Sequence, residues 1–161
     1  MAKYMCFSAL LLLLTASIAS AQWTKVWSDE FDKPGLPDSS RWGYEEGYIR
    51  NGELQFYTVR RGKNARVEKG HMILEAHRED YQGKRFTSAS LRTKGKADWR
   101  YGRVEVRAKL PGGVGLWPAV WMLPSEDRFG IWPASGEIDM MEYVGFDKGV
   151  VHGTIHNKAY N

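Results

Sequence analysis

Three carboxylates fall within six residues in Gly136-Glu137-Ile138-Asp139-Met140-Met141-Glu142-Tyr143. On a strand, side chains alternate between faces, so Glu137 and Asp139 point the same way. Glu142 has the opposite parity. One extra residue at Met140-Met141, a β-bulge, would return it to the side of the other two. Three acids lined up on one face repel one another, and hydrolysis of a sugar bond supplies a reason to tolerate that. It needs one ionised carboxylate and one protonated carboxyl across the bond. A solvated strand end or a cation site would use the same residues, and on a helix they would be ordinary neighbours.

Several elements must position such a group. Trp23 to Ser28 alternates like a strand, Pro34 to Asp38 is a turn cluster, and Ser39-Ser40-Arg41-Trp42 suits a single helical turn. Glu53 to Thr58 reads as a strand behind the turn pair Asn51-Gly52, and Arg60 to Asn64 as a solvated basic loop. Ala65–Glu68 and His71–Ala76 flank the turn Lys69-Gly70, and Arg85–Thr93 follows as a longer run. Tyr101 to Leu110 has the cleanest period of two, with Val104, Val106, Ala108 and Leu110 on one face and charges on the other. Leu116–Leu123, the acidic stretch and Val151–His156 complete the series. No helix-period segment of useful length follows residue 21. Short strands spaced by Gly, Pro and Asn turns predict one all-β sandwich or barrel domain.

Residues 1–21 have the pattern of a secretory signal peptide. Lys3 is its positive region, Phe7 to Ile18 its apolar core, and Ala19-Ser20-Ala21 its cleavage site. The apolar run is too short to span a bilayer. The expectation is a protein secreted after cleavage near Ala21, with no stable membrane anchor. The single cysteine, Cys6, would leave with the leader, so packing rather than disulfides must hold residues 22–161 together. A net charge of +4 is mild, and it is scattered or alternates with acids, as in Arg103-Val104-Glu105-Val106-Arg107. Nucleic-acid binders concentrate their charge, so no nucleic-acid partner is expected. The chain has seven Trp and eight Tyr, flat faces with a polar handle that suit both a core and sugar rings.

Trp117, Ala119 and Trp121 share one face of the strand preceding the acids, leaving a gap bounded by two indoles. Both rings could fill a core or form the floor of a sugar cleft.

These stretches resemble glycoside hydrolase family 16. Trp132-Pro133-Ala134-Ser135-Gly136-Glu137-Ile138-Asp139-Met140-Met141-Glu142 is similar to its catalytic signature, and Gly115 to Leu123 to the strand upstream. Trp27 to Phe31, Asn51 to Thr58 and Tyr101 to Glu105 match in the same order, as in the laminarinase-like endo-1,3-β-glucanases. The resemblance implies a concanavalin A-like β-jelly-roll sandwich and retaining hydrolysis of 1,3-β-glucan. Glu137 would be the nucleophile, Glu142 the general acid/base, and Asp139 the carboxylate that tunes them. Four strand steps separate the two Glu backbones by about 13 Å. Inward-leaning side chains could then approach the ~5–5.5 Å of a retaining pair. Like charge would raise the proton affinity of Glu142. Trp117 and Trp121 would stack sugars, Asn51, Glu53 and Arg92 would bond hydroxyls, and His156 would sit beside the acid/base. No cofactor is needed for catalysis. A structural calcium is implied on the far side, with Glu30 contributing. The implied partner is a polysaccharide, met as a monomer.

Two departures accompany the match. Gly52 stands where the subgroup often has Asn, which removes one cleft hydrogen bond. Single-domain sandwiches routinely reach about 200–250 residues, so the domain over 22–161 is expected to be incomplete at its C-terminus. Agarose, carrageenan or mixed-linkage glucan as substrate, or glucan binding without catalysis, are the competing readings.

Overall fold

Residues 22–160 are described by the computed structural model, so the segment read as a leader lies outside the described residues. Ten strands form where turn chemistry lets short apolar-alternating runs fold back. β3 (Ala65–Glu68) and β4 (His71–Leu74) make a hairpin through Lys69-Gly70, whose φ values of 52° and 73° suit a tight two-residue turn. β5 (His77–Tyr81) and β6 (Lys84–Ser88) repeat the device through Gln82-Gly83. β2 (Gln55–Tyr57) adds to β6 in parallel, and β1 (Gly43–Tyr44) pairs with β7 (Leu91–Arg92).

The sheet that carries the acids has the order β10–β9–β8 and is antiparallel throughout. β8 is Ala119–Met122, β9 is Glu137–Glu142 and β10 is His152–His156. Among the described residues no helix forms, and the all-β expectation holds.

Three strand expectations change. Residues 101–110 alternate as anticipated, yet they pair with no strand. Alternation records which side chains would share a face, whereas a strand also needs a ladder partner. Val104, Val106 and Ala108 instead line one side of a cavity of about 230 Å³ against Val120, Met140 and Met141, and Val106 stays 57% exposed. Trp23 to Ser28 likewise stays unpaired. The run from Arg85 to Thr93 breaks at Ala89-Ser90 into β6 and β7, which join different sheets. The helical turn at Ser39–Trp42 does form, with Trp42 N donating to Asp38 O at 2.8 Å. Asp38 Oδ1 caps it by accepting from Ser40 N at 2.9 Å.

Of residues 60–64, Arg60, Gly62 and Lys63 are exposed as expected of a solvated loop, but the loop ends on a buried residue. Asn64 is 0% exposed and works as a hub. Its amide donates to Glu75 O and to Thr87 Oγ1, each at 3.0 Å, and its oxygen accepts from Thr58 Oγ1 at 2.9 Å. Arg61 and Lys63 close on Glu79 and, through hydrogen bonds, hold its carboxyl far below the usual range. Thr58 and Thr87 are buried with Asn64, and Ala65, Val67 and Ala89 are buried apolar side chains. Polar satisfaction therefore carries much of this interior.

Candidate active site

The bulge in β9 is present and sets the site. Trp121 lies opposite Asp139, yet Val120 lies opposite Met141, so one extra residue, Met140, enters between them. The other neighbour shows the same slip, with Thr154 opposite Asp139 and His152 opposite Glu142. Residues directly opposite on antiparallel strands share a face. Glu137, Asp139 and Glu142 therefore emerge on one face with Trp121 and Ala119 of β8 and with Thr154 and His156 of β10. Met141 and Val120 point to the reverse face, where Met140 joins them around the cavity.

Each glutamate meets an indole. Trp117 Nε1 donates to Glu142 Oε1 at 3.0 Å, and Trp132 Nε1 donates to Glu137 Oε2. Trp117 is 63% exposed, so its ring remains open to a ligand while its N–H is engaged. Asp139 is the buried member at 5% exposure. Burial, then the charge of Glu137, raises its proton affinity, while His156 pulls the other way. His156 Nε2 lies 3.2 Å from Asp139 Oδ2, and its ring tilts against Trp132 at 5.8 Å between centroids. Glu137 and Asp139 also share a hydrogen bond. Chemically, this is a close pair of acids with a third acid two strand positions further on, flanked by open aromatic faces. It can hold and move protons along one side of an extended ligand.

Glu53 and Arg92 have partners outside the three acids, and so does His152 at the start of β10. Asn51 and Gly52, with φ of 57° and 65°, are the central pair of a turn closed by Glu53 N donating to Arg50 O at 3.2 Å. Two positive φ values explain why Asn-Gly stands there. Glu53 accepts from Gln55 Nε2 at 3.1 Å, and Asn51 is exposed. Arg92 faces Glu45 at 3.9 Å. His152 pairs with Asp147 at 3.6 Å.

Sequence reasoning missed Glu45 and Arg50. The Glu45 carboxylate receives Arg50 Nη2 and, at 2.6 Å, Ser90 Oγ, while its backbone N donates to Ser90 O at 3.0 Å. Burial pushes the Glu45 carboxyl up, but bonds from Arg50 and Ser90 with the charges of Arg50 and Arg92 outweigh it and hold it low. The Arg50 guanidinium lies over the Trp121 ring, 5.0 Å from its centroid. The one available signal was an arginine at the first corner of an Asn-Gly turn.

Glu30 does not join this group; it faces Lys25 at 3.9 Å. Among the described residues there is no cluster of three or more His, Cys, Asp and Glu side chains placed to hold a metal.

A sheet face that sets paired carboxylates among indoles has the features of the glycosidase class. Residues 52–161 match the family Glycosyl hydrolases family 16, and the chain belongs to it. It is 57% identical over 143 residues to a β-glucanase of Rhodothermus marinus, covering 86% of this chain and 50% of that protein. A glucan endo-1,3-β-glucosidase of Cryptopygus antarcticus is 44% identical over 157 residues, covering 93% and 57%. The X-ray structure of the laminarinase from Rhodothermus marinus superposes with a TM-score of 0.85 at 56% identity, covering 87% of this chain and 57% of that one. The fold is accordingly the family's β-jelly roll. The chain spans about half the length of the curated relatives it matches.

Proposed function

We propose that this chain carries the catalytic face of an exported endo-1,3-β-glucanase that works by double displacement with retention. The supporting observation is the bulge at Met140, which brings three acids to one face with an indole N–H on each glutamate. Relatives named as acting on β-1,3-glucan support the substrate class.

In this reading Glu142 gives its proton to the leaving oxygen while Glu137 attacks the anomeric carbon, forming a glycosyl ester. Water, deprotonated by Glu142, then breaks that ester. The hydrogen bond from Trp132 orients Glu137, and that from Trp117 orients Glu142. Asp139 holds a proton more tightly than a free aspartate because it is buried beside Glu137, which suits it to share a proton with the nucleophile. Trp117 and Trp121 offer ring faces to the sugars. Export rests on the leader pattern over residues 1–21.

The test is release of reducing ends from laminarin by residues 22–161, beside Glu137→Gln, with proton NMR of the first product anomer. Turnover lost in the variant, with β-anomer formed first, supports the proposal. The α-anomer formed first would overturn retention. Laminarin bound but never cleaved would favour a glucan-binding role.

A further inference from the structure

We infer that Glu45 and Arg50 are positioning residues for the ligand platform Trp121. The inference rests on the glucan-cleft reading of that face. Arg50 lies over the Trp121 ring at 5.0 Å. A cation above an indole is held by the ring quadrupole, more strongly where water is partly excluded. The Arg50 side chain is only 22% exposed, and its charge is answered by Glu45, itself 14% exposed. Glu45 is in turn fixed from two directions, through its backbone to Ser90 O and through its carboxylate to Ser90 Oγ.

The chain therefore runs Ser90, Glu45, Arg50, Trp121, and it ends on the residue that faces Asp139 across the β8–β9 ladder. The turn at Asn51-Gly52 fixes the backbone of Arg50, and the β1–β7 pairing holds the strand ends beside Glu45 and Ser90. The hydrogen bonds of this chain run among Ser90, Glu45 and Arg50 rather than to the three acids, so it governs where a sugar ring rests rather than proton transfer. Arg50 also covers one face of the indole, which leaves the other face for a ligand. The clamp thus selects which side of Trp121 a glucan occupies.

Binding of laminarihexaose to the Glu137→Gln chain reads this without turnover. Arg50→Met is expected to weaken binding about tenfold, the scale of a partly desolvated cation–π contact. Glu45→Gln should weaken it in the same direction, and Arg50→Lys should recover part of the loss. In a Trp121→Ala background, Arg50→Met should cost less than twofold. In the chain with Glu137 intact, the loss should appear in KM, with kcat within twofold. Fully additive effects of Arg50→Met and Trp121→Ala, or a loss confined to kcat, would overturn the inference. A second readout separates it from the cleft reading. With 5-fluorotryptophan incorporated, the Trp121 resonance, assigned through Trp121→Phe, should shift in Arg50→Met and Glu45→Gln while the other resonances hold. If no glucan binds, the cleft reading fails; an unmoved Trp121 resonance refutes the clamp itself.

Discussion

Replacing Asp139 by Asn is expected to stabilise the fold at neutral pH and slow the chemistry. The side chain is 5% exposed and lies two positions from Glu137 on the same face. Two strand steps span about 6.6 Å, and at an effective dielectric near 20 two unit charges repel by about 2.5 kcal/mol. His156, 3.2 Å away, offsets part of this in the wild type, so a net gain of about 1–2 kcal/mol is expected at pH 7. The sign follows from linkage. Asp139 binds its proton more tightly folded than unfolded, so its ionisation makes stability fall as pH rises from the unfolded value, about 3.9, through the higher folded one. Asn cannot ionise, so the gain should be present at pH 7 and vanish below about pH 4. Asn can still donate to Glu137 but cannot ionise or exchange a proton with it. Losing the whole ~2.5 kcal/mol from the barrier would slow turnover roughly 70-fold. Thermal unfolding by circular dichroism at both pH values, with laminarin hydrolysis beside it, reads both effects. A melting point lowered at pH 7, or a difference that does not change with pH, would refute the reasoning.

Three further outcomes follow from the geometry. Deleting Met140 turns the slipped ladder into a regular one with Asp139 and Glu142 still on one face, so laminarin hydrolysis should survive within roughly tenfold, while inserting one Ala after Met140 should abolish it. Asn64→Ala strands the Glu75 carbonyl and takes one partner each from the hydroxyls of Thr58 and Thr87, which keep Ser88 O and Glu79, and urea unfolding should show a loss of about 2 kcal/mol; under ~0.5 kcal/mol would dismiss the hub. Trp117→Phe keeps a ring but removes the donor to Glu142, and kcat/KM on laminarin should fall about tenfold. An unchanged kcat/KM would leave that hydrogen bond without a role.

Much of the active face was legible from the chain alone. Strand parity and the doubled Met predict the bulge, and a single local register decides whether Glu142 joins Glu137 and Asp139. The turns at Lys69-Gly70 and Asn51-Gly52 are equally local, because their backbone conformations need particular residues. The family was visible for the same reason, since its signature is a contiguous run around those acids. Residues 101–110 show the limit: their alternation is real, but pairing depends on a partner that periodicity does not name. The hub at Asn64 and the clamp of Glu45 and Arg50 on Trp121 lay beyond reading. Beside short links such as Thr58 to Asn64 and Glu45 to Arg50, they join residues 11 to 71 positions apart, and only tertiary folding brings those groups within hydrogen-bonding or ring-contact distance. Local geometry placed the acids in the sequence; long-range packing decided which cations, hydroxyls and rings surround them.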